Sequence, residues 1–184
     1  RIEYKTWFKE SILHDSGAVK EVIEYLTNKG LTYEKDGAVW YNNIKVQTEM
    51  LTRQGKTQEE IDKLELKDDV LIRQNGNPTY FAADIAYHKN KLVTRGFDKA
   101  INIWGADHHG HVARMKGVLE ALDLDSDRLD VILMQLVRLT RDGEVVRMSK
   151  RTGKAITLVD LLEDIPVDAV RFLFNMREPG SQMD

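Results

Sequence analysis

The chain has 184 residues, 42% hydrophobic and 31% charged, with a formal net charge of -3 at pH 7, which gives enough apolar material for one globular domain and excludes fibrous and disordered classes. So small a negative charge means that any polyanion must be met by a local basic patch, not by the overall field. The lack of cysteine excludes disulfides and thiolate metal sites and suits a reducing cytoplasm, and no apolar run approaches the ~18 residues of a membrane-spanning helix.

The opening RIEYKTWFKE has neither a signal-peptide core nor an initiator Met, and reads as a chain that begins inside a longer one. In SGAVKEVIEYLTNKG, Val19, Val22, Ile23 and Leu26 recur at helical spacing, with Ser16 placed to cap and Gly30 to stop. LTYEKDGAVWY alternates around Asp36-Gly37 and predicts a tight hairpin. Residues 42–67 are polar and weakly patterned and read as a surface insertion, with a capping box at Thr57 and Glu60 opening a short helix.

From Asp69 the pattern becomes strand and helix in alternation. DVLIRQ and KAINIWG read as buried strands, YFAADIAYHKNKLV between them as a helix, and LDVILMQLVRL as a further strand. HVARMKGVLEAL carries Val112, Met115, Leu119 and Leu122 on one helical face, RDGEVVRMS closes a hairpin through Asp142-Gly143, and PVDAVRFLFNM starts a helix at Pro166 that is apolar nearly all round and so is expected to be buried. The order predicts an α/β fold: a parallel or mixed sheet with helices packed on it.

Ligands of such sheets gather at the carboxyl ends of strands, which gives WGADHHGH, residues 104–111, a location. Gly105 lets backbone approach a ligand, and Asp107 stands where a helix N-cap is expected and can accept from sugar hydroxyls. His108, His109 and His111 could supply imidazoles to a metal, although on a helix only 108 and 111 share a face. They could equally just cap and pack the helix start. A second cluster, Arg147, Lys150, Arg151 and Lys154, puts four cations in eight positions beside Ser149, Thr152 and Gly153. Such a loop suits a polyphosphate, and composition alone also allows a solvated charge run.

RMSKR resembles the second signature of class I aminoacyl-tRNA synthetases, usually written KMSKS, and GADHHGH is similar to the G-x-D-x-x-x-H element that this class uses beneath adenosine. PTYFAADIAYH, RGFDKAINIWGADHHGHVARMKGVLEAL, VRMSKRTG and VDAVRF resemble the arginyl-tRNA synthetase catalytic domain. The similarity runs from about Trp7 to Asp184 and is weakest over 42–67. It implies a Rossmann-like, HUP-type fold, of which this chain is the second half with an inserted mixed α+β segment: residues 1–68 the insertion, 69–184 the C-terminal half with the KMSKS-like loop.

The resemblance also implies roles. Arginine would react with ATP, brought with Mg2+ but without a dedicated protein metal site, to give arginyl-adenylate and pyrophosphate, and the arginyl group would pass to tRNA(Arg) in the cytoplasm. Tyr80, Asp84 and His108 match the arginine pocket. Tyr80 and Asp84, four apart, share a face at a helix start, and a carboxylate there can take a guanidinium in a two-pronged pair, although either residue alone reads as packing or capping. Gly105, Asp107 and His111 match the adenosine element, with Asp107 toward the ribose. Met148, Ser149 and Lys150 match the ATP loop, and Lys150 the lysine that stabilises charge on the leaving pyrophosphate. Arg147 stands where lysine is usual and Arg151 replaces the final serine, so phosphate charge is kept or increased. The HIGH-type first signature does not occur in the sequence, from which the isolated chain is expected to be inactive. A stand-alone nucleotide- or metal-binding module is the competing reading.

Overall fold

The structure is a computed structural model that describes residues 2–141, 144–145 and 157–181. The chain divides into two compact units, one of Arg1–Asn102 with Gly110–Asp130, the other of Ile103–His109 with Val131–Asp184.

The first unit opens with α1 (Ser11–Asp15) and α2 (Ala18–Asn28). The expected face of α2 is the buried one, with Val19, Val22, Ile23 and Leu26 all covered. Its start differs from expectation. Gly17 holds the N-cap with φ +79° and no side-chain cap, while Ser16 closes α1 and its hydroxyl donates back to the Leu13 carbonyl at 3.5 Å. Gly30 stops the helix as expected. At φ +66° its N–H donates to Thr27 O, and that of Leu31 donates to Leu26 O, a two-bond left-handed closure that Leu26 and Leu31 cover with apolar side chains.

The hairpin follows as β1 (Thr32–Lys35) and β2 (Ala38–Tyr41), antiparallel, with Lys35 opposite Ala38. Asp36 and Gly37 have φ of 51° and 72°, the double left-handed turn that this dipeptide favours. β3 (Asp69–Ile72) adds antiparallel to β2, with a register shift between Val39 and Trp40.

Residues 42–67 are not only surface. They form α3 (Asn43–Arg53), which buries Asn43, Val46, Gln47 and Met50, and α4 (Gln58–Asp62), opened by the expected capping box. α3 escaped the periodicity because half of its buried face is polar. Those groups satisfy each other, Gln47 Nε2 donating to Asn43 Oδ1 at 2.8 Å and Asn43 Nδ2 to Lys67 O at 2.8 Å.

α5 (Tyr80–Lys89) packs against α2 and β3 and runs into one π turn, Asn90–Thr94, closed by Arg95 N–H on Asn90 O at 2.8 Å. Arg128 clasps the far side of that turn, donating to the carbonyls of Leu92, Phe97 and Asp98. α6 (His109–Ala121) buries Met115, Val118 and Leu119. Gly117 brings it close to α3, since a Cβ there would lie 3.4 Å from Gln47 Cγ. Lys29 joins the ends of α2 and α6 by donating to Ala121 O and pairing with Asp123 at 2.6 Å.

β4 (Ala100–Gly105) pairs with β5 (Leu129–Met134) in a two-stranded sheet. Both strands alternate between covered and open positions, and Ile101 and Ile103 are 60% and 69% exposed, so the expected burial holds for one face only. In place of one parallel or mixed sheet, the described strands form three small sheets, of which β1–β2–β3 is antiparallel throughout, its first two strands joined by a two-residue turn that allows no other pairing. The mixture of helices and small sheets is α/β in the broad sense.

In the second unit β6 (Thr140–Arg141) pairs antiparallel with β7 (Glu144–Val145). The expected turn residues Asp142 and Gly143 lie outside the described residues. α7 (Leu158–Asp164) carries a capping box from Thr157 and Asp160, and α8 (Val167–Asn175) starts at Pro166 as expected. The expected burial of α8 does not hold: Val170 is covered, but Phe172 is 66% exposed and Leu173, Phe174 and Met176 are also open. An apolar sequence is buried only where neighbours cover it, and among the described residues of α8 that holds for Val170 alone.

Candidate active site

The strand β3 positions α5 directly. Thr79 N–H donates to Leu71 O at 2.9 Å, its hydroxyl donates to Val70 O at 2.7 Å, and the same oxygen caps the helix by accepting from Ala82 N. Tyr80 and Asp84 therefore start the helix at a fixed point at the end of β3. Tyr80 is 80% exposed; Asp84, one turn on, is mostly covered, with 29% of its side chain open.

Two imidazoles hold the Asp84 carboxylate. His111 Nε2, from α6, lies 2.9 Å from Oδ2. His88, one turn further along α5 and 1% exposed, places Nδ1 2.8 Å from the Asp84 carbonyl oxygen and 3.3 Å from Oδ1. Burial by itself pushes the Asp84 carboxyl up, but the hydrogen bonds and charge of His111 and His88 outweigh it and hold the group well below the ordinary carboxylate range. The result is a committed anion with part of its surface open.

His88 is itself oriented. Its Nε2 is 2.6 Å from Asn102 Nδ2, and Asn102 Oδ1 accepts from Lys91 Nζ at 2.8 Å. An ammonium can only donate, so the amide atom facing Lys91 is the oxygen and the atom facing His88 is the NH2 group, which makes Nε2 the acceptor and puts the ring proton on Nδ1, facing Asp84. Lys91 sits 4.6 Å over the Tyr87 ring, and burial pushes its ammonium down against the pull of Asp84. Behind His111, Phe81 meets its ring edge-on at 5.7 Å and leans on Tyr41 at 6.2 Å.

In the second unit, Gly105 ends β4 with φ −66° and ψ 151° and leads into a single 3-10 turn, Ala106–His108, before α6. Asp107 lies inside this turn and not at an N-cap, for which no side-chain cap bond forms. It is open to solvent, with His108 Nε2 3.8 Å from Oδ2, and Trp104 stands 6.4 Å from the His108 ring. A Cβ on Gly105 would come within 2.5 Å of Asp107 Oδ1, so the absent side chain is what makes room for that carboxylate.

Of the expected site residues, Tyr80, Asp84 and His111 fall in the first unit and Gly105, Asp107 and His108 in the second. The structure brings His111, matched to the adenosine element, onto Asp84, matched to the arginine pocket. Arg147, Met148, Ser149, Lys150 and Arg151 lie outside the described residues. Among the described residues no group of three or more His, Asp or Glu side chains is placed to hold a metal ion, and no helix is long and apolar enough to cross a membrane. The reading by residue type missed His88, Lys91 and Asn102. Two signals were available: the helical spacing of Asp84 and His88, and an amide at an inward position of the apolar strand AINIWG.

No protein-family model matches the chain. Among curated proteins it is 59% identical over 183 residues to an arginine–tRNA ligase of Caldanaerobacter subterraneus subsp. tengcongensis, covering all of this chain and 30% of that protein. It is 51% identical over its full length to an arginine–tRNA ligase of Acetivibrio thermocellus, of which it covers 29%. A solved structure described as an arginyl-tRNA synthetase of Campylobacter jejuni superposes with a TM-score of 0.76 at 36% identity, over 99% of this chain and 35% of that one. The arginyl-tRNA synthetase of Thermus thermophilus shares the fold, with a TM-score of 0.68 at 17% identity over 95% of this chain and 36% of that one. From end to end the chain is homologous to arginyl-tRNA synthetases, and it spans about three tenths of the length of the curated relatives it matches.

Proposed function

We propose that this chain is the part of an arginine–tRNA ligase that binds the amino acid and carries one side of the ATP site. The observation that supports this most directly is the Asp84 carboxylate, held ionised by two histidines yet partly open, one helical turn from an exposed Tyr80. A fixed anion beside an aromatic hydroxyl suits a guanidinium, which presents its donors in a planar fork. Tyr80 and Asp84 bind arginine in this reading, with His108 as a further contact and His111 helping to hold Asp84.

Gly105 and Asp107 receive the adenosine, the carboxylate accepting from ribose hydroxyls. An oxygen of the arginine carboxylate attacks the α-phosphorus of ATP, the bond from that phosphorus to the bridging oxygen breaks, and pyrophosphate leaves with the electron pair. Lys150, Arg147 and Arg151 neutralise the charge gathering there, and Met148 and Ser149 also bind the ATP in this reading. Mg2+ enters with the ATP. A hydroxyl of the terminal adenosine of tRNA(Arg) then displaces AMP from the adenylate. The finer architecture goes with this reading: a Rossmann-like, HUP-type catalytic domain in the cytoplasm, with residues 1–68 as an inserted segment and 69–184 as its second half.

The test is Asp84→Asn in a full-length ligase carrying this segment, assayed by arginine-dependent pyrophosphate exchange with tRNA present. Loss of the charged acceptor removes about 2–4 kcal/mol of arginine binding, so KM for arginine rises roughly 30-fold or more. An unchanged KM for arginine overturns the assignment.

A further inference from the structure

We propose that His88 is a positioning residue for the amino-acid substrate: with its tautomer set by Asn102, it aims the Asp84 carboxylate at the guanidinium. The inference rests on the proposed arginine site and adds to it a residue that never touches the substrate. His88 is 1% exposed, too deep to reach a ligand, and its contacts point inward along a defined chain: Asp84, His88, Asn102, Lys91.

Each link has a direction. Lys91 can only donate, which turns the Asn102 oxygen toward it and the Asn102 NH2 toward His88. That leaves Nε2 of His88 as an acceptor and Nδ1 as the donor, hydrogen-bonded to the Asp84 carbonyl oxygen at 2.8 Å with Oδ1 of the same residue in ion-pair contact at 3.3 Å. The carboxylate torsion is thereby fixed from one side by His88 and from the other by His111 at 2.9 Å. A carboxylate free to rotate would meet a planar fork with both oxygens in only a fraction of its orientations, so the restraint is worth affinity for a guanidinium in particular.

The experiment uses a full-length ligase carrying this segment and compares His88→Asn, His88→Gln and Asp84→Asn. In a side chain of Asn length the amide nitrogen falls near the place of Nδ1 and keeps the donor to Asp84, whereas in Gln it falls near Nε2 and loses it. The expected result is a KM for arginine raised about tenfold or more in His88→Gln, largely rescued in His88→Asn, with KM for ATP little changed in either. Nitrogen-15 spectra of the wild-type enzyme are expected to show the His88 proton on Nδ1. Equal KM for arginine in wild type and His88→Gln overturns the inference, as does a proton on Nε2. If both His88 variants lose arginine and ATP affinity together, His88 merely supports the fold and the inference also fails. Asp84→Asn separates the two levels: a raised KM there with none in His88→Gln sinks this inference alone, and no change in either sinks the arginine site itself.

Discussion

Adding one methyl group at Gly105 tests the proposed adenosine side of the site without touching its chemistry. Gly105 has φ −66° and ψ 151°, a conformation that alanine adopts freely, so Gly105→Ala costs nothing in backbone strain and gains up to about 1 kcal/mol by restricting the unfolded chain. The new Cβ would lie 2.5 Å from Asp107 Oδ1, about 0.9 Å short of the 3.4 Å at which ordinary contact begins. Asp107 is exposed and ends in a flexible carboxylate, so it swings aside and the fold does not yield. A displacement of that size would break the hydrogen bond that the proposed site gives Asp107 to the ribose, worth about 1–1.5 kcal/mol, or roughly a fivefold to tenfold rise in KM for ATP. Pyrophosphate exchange in the full-length ligase, with ATP and arginine varied separately, reads this directly, and thermal melting reports the stability. An unaltered KM for ATP in Gly105→Ala, alongside a raised one in Asp107→Ala, would refute the geometry; a large loss of stability would refute the claim that Asp107 gives way.

Two further outcomes concern stability and are read from urea unfolding of the 184-residue chain. Because the folded-state pKa of Asp84 is depressed, its contribution is fully present above the unfolded value of about 3.9 and is lost as pH falls through the folded one; Asp84→Asn should therefore lower the unfolding free energy at pH 7 by about 1–3 kcal/mol for the histidine contact an amide cannot match, and the gap between variant and wild type should narrow below about pH 4. Gly30→Ala forces a side chain into φ +66° at the closure of α2 and should cost about 1–2 kcal/mol; a variant as stable as wild type would show that the turn relaxes.

What was legible in the sequence was local chemistry. Asp36-Gly37 determines its own turn, the Thr57 and Glu60 pair closes on itself, and the α2 face is a matter of spacing along eight residues. What was not legible depends on partners far along the chain. α3 hides because Asn43 and Gln47 are buried and satisfy each other, so its inward face reads as solvent-facing. α8 misleads the other way, since its apolar residues say nothing about whether a neighbour covers them. At the candidate site, Tyr80 and Asp84 were readable as a helical pair, but the tautomer of His88 is decided by Asn102 on a strand and by Lys91 in the turn between, a relation among three elements that no single segment carries. The grouping of His111 with Asp84 is of the same kind: spacing placed it next to Asp107, and packing turned it toward another helix.

The π turn at Asn90–Thr94 makes the count of residues here part of the site. An α-helix advances about 100° per residue, and a π turn holds one residue more than the α turn it replaces, so deleting Asn90, Leu92, Val93 or Thr94 would rotate Lys91 relative to Asp84 or Asn102 and break the chain of donors even with Asp84, His88, Lys91 and Asn102 all retained. Arg128, holding three carbonyls on the far side, leaves the segment little room to absorb the change. Insertions and deletions among natural variants should therefore fall beyond Asn102 or before Thr79, and the interval from Asp84 to Asn102 should keep its length even where its residues change.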